Sequence, residues 1–281
     1  MKPSSFDYIR AESLDHVLSC LAEHGDEARI LAGGQSMVAM MNFRLVEPNY
    51  LIDISALEEL KEIKLNGGHV EISAAVTQAN LMAWPEINKH LPLLVEALPN
   101  VGHFQTRAKG TFCGSIAHSD PSSEQPLCFA VLGGEAVLQS KRGKRTLPAA
   151  EFQTGLLATA READEILSSV RLPVQKPGAG YAFEEITRRR GDFGIVSVAV
   201  IADGNNVRIG VGGVADRPEI RDWEKISDGD LDDALNAFAW EMGGDDDGGG
   251  GDSLPEDVNG DGVVDVADLL AIISAWGATS P

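Results

Sequence analysis

Two short glycine-bearing segments and one acidic stretch near the end carry residue types and spacings that could do chemistry. The first segment is Ala32-Gly33-Gly34-Gln35-Ser36, between an apolar lead-in through Arg29, Ile30 and Leu31 and the run Met37-Val38-Ala39-Met40-Met41. Paired glycines let a backbone approach a pyrophosphate and turn its N–H groups inward. Ser36 adds a hydroxyl, and a helix starting here would bring its positive end to the phosphates. The second segment begins Thr111-Phe112-Cys113-Gly114-Ser115 and runs on through His118, Ser119, Asp120 and Pro121 to Glu124. Its hydroxyls and backbone amides suit phosphate, and its carboxylates suit ribose hydroxyls. Each segment alone also fits a plain reading. The first would be a tight strand-to-helix turn. The second would be a polar loop with a helix capped at Asp120-Pro121 before the next apolar run. Neither is a GxGxxG dinucleotide fingerprint or a P-loop.

The acidic stretch is Asp257-Val258-Asn259-Gly260-Asp261-Gly262-Val263-Val264-Asp265-Val266-Ala267-Asp268. Oxygen donors fall at the spacing of a twelve-residue calcium loop: Asp257, Asn259, Asp261, the Val263 carbonyl, Asp265 and Asp268, with Gly262 at the sharp turn. Aspartate in the last position is shorter than the usual glutamate and weakens bidentate binding. An apolar helix, LLAIISAW, follows.

These residues need elements to hold them. Apolar residues at helical spacing over residues 12–24, with Ser13 as cap and Gly25 as stop, predict a helix. Residues 29–32 read as a short buried strand into the first glycine pair. Residues 49–54 and 70–74 read as further strands. Residues 57–60 are one helical turn, and 77–82 and 92–97 are helical. Residues 126–140 read as helix or strand, and Val170-Arg171-Leu172-Pro173 as a strand closed by proline. A break at residues 176–180 marks a domain boundary. Beyond it, 197–202 and 206–211 pair as strands about a turn at 203–205, and 231–242 forms a helix. The expected domains are therefore 1–176, 177–242, a Gly/Asp linker at 243–256, and a calcium-loop unit at 257–281.

Composition narrows the class. The 281 residues carry a formal net charge of −20; nine acidic and no basic residues lie from Asp245 onward, leaving −11 for residues 1–244. Such a chain repels nucleic-acid phosphate. Cys20, Cys113 and Cys128 fit no zinc or iron–sulfur spacing, and three thiols cannot all pair within one chain. No signal core and no membrane span are evident, so a cytoplasmic protein is expected.

Together the two segments resemble one family. AGGQSMVAMMNFRL followed by GTFCGSIAHSDPSSEQP, with the opening KPSSFDYIRAESLDHVLSCLAEHGDEARILAGGQS, is similar to the FAD subunits of molybdenum hydroxylases. These are the medium subunits of carbon monoxide, nicotine and caffeine dehydrogenases and the flavin domain of xanthine dehydrogenase. The resemblance covers residues 1 to about 242, and both motifs agree in order and spacing. It implies an α+β fold: two subdomains with FAD between them, then a small α+β C-terminal domain and a flexible tail. It implies that Ala32, Gly33, Gly34, Gln35 and Ser36 hold the pyrophosphate, with Arg29, Ile30 and Leu31 leading in. Thr111, Phe112, Cys113, Gly114 and Ser115 would hold the phosphate and flavin side, Glu124 the adenosine ribose, Leu167 an apolar flank and Phe193 the isoalloxazine. The family often has glycine at Cys113, a departure that bears on local geometry. The implied role is an electron relay. Iron–sulfur clusters on a small subunit feed FAD, molybdopterin sits on a large subunit, and an external acceptor removes the electrons. No catalytic residue of its own is expected, and Arg188, Arg189, Arg190 and Asp192 read as a solvated charged face. The tail resembles half of a dockerin-type repeat. It offers a rival function, a calcium-dependent interaction module on a degenerate flavin-type scaffold.

Overall fold

The computed structural model describes residues 2–241. The expected calcium loop at 257–268 and its linker lie outside the described residues.

The first helix forms where expected. α1 (Leu14–His24) buries Val17, Leu18, Cys20 and Leu21 on one stripe. The Ser13 hydroxyl accepts the His16 N–H at 3.1 Å, and Gly25 ends the helix with φ 48°. It packs on a small parallel sheet of β1 (Asp7–Arg10), β2 (Ala28–Leu31) and β3 (Tyr50–Asp53), ordered β1-β3-β2. Only Ala28 of β2 is fully buried, because β2 is an edge strand, not the buried strand the apolar run suggested. β2 runs through the glycine pair into α2 (Met37–Asn42).

A five-stranded antiparallel sheet follows, ordered β4-β5-β10-β6-β7. Its strands are β4 (Ile63–Asn66), β5 (His69–Ser73), β6 (Glu135–Ser140), β7 (Gly143–Pro148) and β10 (Ile166–Pro173); β8 (Gln153–Gly155) and β9 (Ala158–Thr159) form a separate hairpin. The helices between are α3 (Gln78–Met82), α4 (Ile87–His90), α5 (Pro92–Ala97), α6 (Phe104–Arg107), α7 (Phe112–His118), α8 (Glu124–Val131) and α9 (Ala149–Phe152). The ambiguous run 126–140 resolves into both: α8, then β6 after Gly133 and Gly134. The second glycine segment is a helix start rather than a polar loop. Thr111 caps α7, and Phe112, Cys113 and Ile116 bury one face of it. The next helix begins at Glu124 behind Ser123, not directly after Asp120-Pro121.

The last described unit is an antiparallel sheet, β11 (Gly180–Ile186), β12 (Val196–Asp203), β13 (Asn206–Gly212) and β14 (Glu219–Trp223), in sequential order, with α10 (Asp228–Glu241) after it. β12 and β13 meet at a turn through Gly204, φ 61°. Val198, Ile209, Val211, Leu235 and Phe238 make its own apolar cluster, while α8 packs against β12 and β13 from the other side. The fold is thus mixed α+β. All three cysteines are free and buried, and no described helix is long and apolar enough to cross a membrane.

Candidate functional site

A cleft of about 960 Å³ lies between the small parallel sheet and the five-stranded sheet. That size is at the upper end of ordinary ligand pockets. One wall is the turn from β2 to α2. Val38 is the first residue after it whose N–H bonds back, to the Gly34 carbonyl at 3.1 Å. The amides of Gly34, Gln35 and Ser36 have no backbone partner among the described residues. Gly34 sits at φ 72°, a left-handed backbone that side chains disfavour.

The other wall is the start of α7. Gln78 N–H bonds to the Gly110 carbonyl at 2.8 Å, and Phe112 N–H to the Val76 carbonyl at 3.1 Å. These bonds pin the segment to the turn before α3. The Thr111 hydroxyl accepts the Gly114 N–H at 3.0 Å. Cys113 is the second residue of α7 and has helical backbone, so glycine is not required there. Its thiol donates to the Ile72 carbonyl at 3.2 Å, and burial pushes its pKa up, so it is a core residue and not a nucleophile.

The two walls touch. A Cβ on Gly33 would lie 2.0 Å from the Lys109 carbonyl oxygen and 2.7 Å from the Gly110 Cα. Glycine at position 33 is therefore demanded by backbone meeting backbone, whatever else occupies the cleft.

Most of the residues anticipated from sequence line this space. Arg29, Ile30, Ala32, Gly33, Gly34, Gln35 and Ser36 do so from one side. Thr111, Cys113, Gly114, Ser115, Glu124, Leu167 and Phe193 do so from the other. Leu31 and Phe112 do not line it: Leu31 pairs with Asp53 in the sheet, and Phe112 is wholly buried in the core. The cleft also brings in Gln78, Gly110, Gln125 and Arg161, none of which is named as a site residue from sequence, although Gly110 and Gln125 lie inside the second motif. Gly110 and Gln125 could have been suspected from their adjacency to Thr111 and Glu124. Gln78 and Arg161 carry no local signal.

Two observations bear on what would fit. The side-chain carbonyl oxygens of Gln78 and Gln125 are buried without a protein partner, and an unsatisfied buried acceptor calls for a donor. Glu124, only 4% exposed, has its pKa pushed up to about 8 by burial, with Glu185 and Asp120 adding to the rise and Arg107 opposing it. A neutral carboxylic acid both donates and accepts, as a ribose hydroxyl does. His118, lining the same wall, has its pKa lowered by burial. Arg161 is fixed by the carbonyls of Glu162 at 2.8 Å and Glu165 at 2.7 Å. Paired glycines, free amides and hydroxyls on facing walls, and orphaned acceptors between them fit a flavin dinucleotide.

Comparison with known proteins agrees. Residues 4–175 match the family described as FAD binding domain in molybdopterin dehydrogenase. The caffeine dehydrogenase subunit beta of a Pseudomonas strain is 37% identical over 74% of this chain and 71% of its own. The carbon monoxide dehydrogenase medium chain of Hydrogenophaga pseudoflava is 34% identical over 74% of this chain and 73% of its own. Among solved structures, the carbon monoxide dehydrogenase from Hydrogenophaga pseudoflava superposes with a TM-score of 0.82 at 28% identity, covering 100% of both chains. Quinoline 2-oxidoreductase from Pseudomonas putida gives 0.81 at 30% identity, also covering 100% of both. With the cleft, its two walls and these relatives in agreement, the chain belongs to the FAD-binding medium subunits of the molybdenum hydroxylases and is an oxidoreductase subunit.

Proposed function

We propose that this chain holds FAD in the cleft and relays electrons through it, from iron–sulfur clusters on a small subunit to an external acceptor. Substrate is hydroxylated on a separate large subunit that carries molybdopterin. The observation that carries the reading is the contact of the two glycine-bearing backbones across one cleft at Gly33 and Lys109. The names of the relatives, medium chain and subunit beta, support an assembly of several chains.

The residues divide the work by chemistry. The free amides of Gly34, Gln35 and Ser36 suit the pyrophosphate, with Ala32 and Gly33 shaping the turn behind Arg29, Ile30 and Leu31. Residues 111–115 supply a capped helix start on the phosphate and flavin side, with the Phe112 ring anchoring it from the core. Glu124 suits the adenosine ribose. Leu167 supplies an apolar flank. Phe193, 60% exposed at the mouth, would be covered by the ring system. When bound, FAD accepts electrons in pairs and can release them singly; the protein positions and tunes it.

The test is flavin content. The chain, purified with the proteins that accompany it and then denatured, should release FAD in about a one-to-one ratio. An intact, partner-containing preparation without flavin would overturn the reading.

A further inference from the structure

The loop from β11 to β12 carries Arg188, Arg189 and Arg190 in succession, all exposed. None forms an ion pair among the described residues, although the chain is strongly acidic and arginine elsewhere pairs readily, as Arg142 does with Asp164 and Arg208 with Asp222.

The loop is built into the rim of the cleft. The Arg107 guanidinium donates to the carbonyls of Pro99 at 3.2 Å, Val101 at 2.8 Å and Gly102 at 2.9 Å, fixing that turn. Gly191, at φ 88°, lies on the turn so closely that a Cβ would be 2.8 Å from the Gly102 oxygen and 2.9 Å from the His103 ring. Within the loop, Asp192 N–H bonds to the Arg189 carbonyl at 2.9 Å, and Ile195 N–H to the Ile186 carbonyl at 2.8 Å. Gly191, Asp192 and Phe193 all line the cleft. Three exposed arginines, without an ion pair among the described residues, thus directly precede in sequence the anchored stretch Gly191–Phe193 that lines the cleft.

The charges around the loop leave it positive. Asp192 is the one acid within it. Glu184 and Glu185, at the end of β11, have pKa values raised by burial, and Glu185, pushed up to about 7, opposes the arginines less near neutral pH. His103 faces the loop from the turn beneath it.

Resting on the FAD-relay reading, we propose that Arg188, Arg189 and Arg190 form the docking site for a small polyanionic electron acceptor at the mouth of the cleft. Scale decides between a small anion and an acidic redox protein. An extended acidic partner would meet the field of a chain whose net charge is −20. A compact anion samples chiefly the charges within a screening length of about 8 Å, and in this loop three arginines stand against the single acid Asp192. Delocalised guanidinium groups also suit anions better than strongly hydrated ammonium would. With hexacyanoferrate(III) as acceptor the step balances. Reduced FADH2 gives one electron to each of two anions, both irons pass from the ferric to the ferrous state, and two protons go to water.

The test compares the wild-type complex with Arg188→Glu/Arg190→Glu and with the milder Arg188→Gln/Arg190→Gln. Binding of redox-inert hexacyanocobaltate(III) is measured by calorimetry, which needs no turnover. Steady-state kinetics are run with hexacyanoferrate(III) and with uncharged benzoquinone. The charge reversal should weaken hexacyanocobaltate binding and raise the KM for hexacyanoferrate about tenfold or more, in the range of electrostatic steering. The glutamine pair should fall between, benzoquinone kinetics should hold, and the salt dependence of the anionic reaction should flatten. Equal loss with both acceptors overturns the proposal, as does unchanged anion binding. Loss of co-purifying subunits in the variants also overturns it, because the arginines would then be a subunit contact. Wild-type complex without flavin would sink the relay reading instead, and is scored separately by flavin release.

Discussion

At Gly33 a Cβ would lie 2.0 Å from a carbonyl oxygen of the facing wall, whereas at Gly114 it would lie 2.6 Å from the hydroxyl of its own capping residue, Thr111. The first neighbour is main chain, held by its own hydrogen bonds and unable to withdraw. The second is a side-chain oxygen that can rotate about χ1. The walls differ in anchorage too. α7 buries Phe112, Cys113 and Ile116, while α2 buries only Met41. One wall is therefore fixed by the core, and the other is fixed by lying on the first. Sequence shows two glycine motifs of similar appearance; the structure shows that one glycine joins the walls and the other tightens a cap.

The sharpest way to break this comparison is Gly33→Ala. The added methyl must separate the two walls, at a cost on the order of 3 kcal/mol in the apo chain, the upper part of the overpacking range. It should also abolish FAD retention. The checks are a denaturant midpoint and flavin content after gel filtration. An alanine variant that keeps both would show that the walls are free to part.

The walls should also differ in response to pH, because Glu124 belongs to the core-anchored side. Its pKa rises from 4.5 to about 8 on folding. The folded chain then holds a proton that the unfolded chain has released. The stabilising difference is complete below about pH 4.5 and declines as pH rises toward 8. Glu124→Gln keeps the neutral form and should flatten the loss. The gap between the two apo proteins should widen by roughly 1–3 kcal/mol between pH 5 and 8. Denaturant melts at stepped pH measure it, and parallel curves would refute the buried-acid assignment.

How much of this was legible beforehand depended on whether the signal was local. Ser13 and Gly25 bound α1 as their cap chemistry requires, and the pairing of β12 with β13 about Gly204 follows from turn chemistry. The edge placement of β2 was hidden, because an apolar run has the same appearance in a central or an edge strand. α7 was obscured by hydroxyls and glycine, residues that favour caps and loops; its burial comes from tertiary contact with β5 and β10. At the site, most residues of the two motifs could be named from the chain, but Leu31 and Phe112, named with them, do not line the cleft. Gln78 and Arg161 could not be named, because their place in the cleft follows only from how separate segments fold together. The same is true of Gly33: its motif is visible in sequence, but Lys109 as the reason for it is not.

The smallest expected effect tests the other half of the comparison. Thr111→Ala removes the hydroxyl that accepts the Gly114 N–H at 3.0 Å and should cost about 1 kcal/mol, as lost N-caps do. Gly114→Ala alone displaces the same hydroxyl, so its gain in helix propensity is offset by the damaged cap. In the double variant the obstructing oxygen is gone. Gly114→Ala should then be neutral or stabilising, and the cycle should show a coupling of about 1 kcal/mol. The matching experiment on the first wall should show none. Lys109→Ala leaves in place the carbonyl oxygen that Gly33→Ala strikes, so those two changes should add. Coupling at 111 and 114 with additivity at 33 and 109 separates a glycine that serves a side chain from one that serves a backbone.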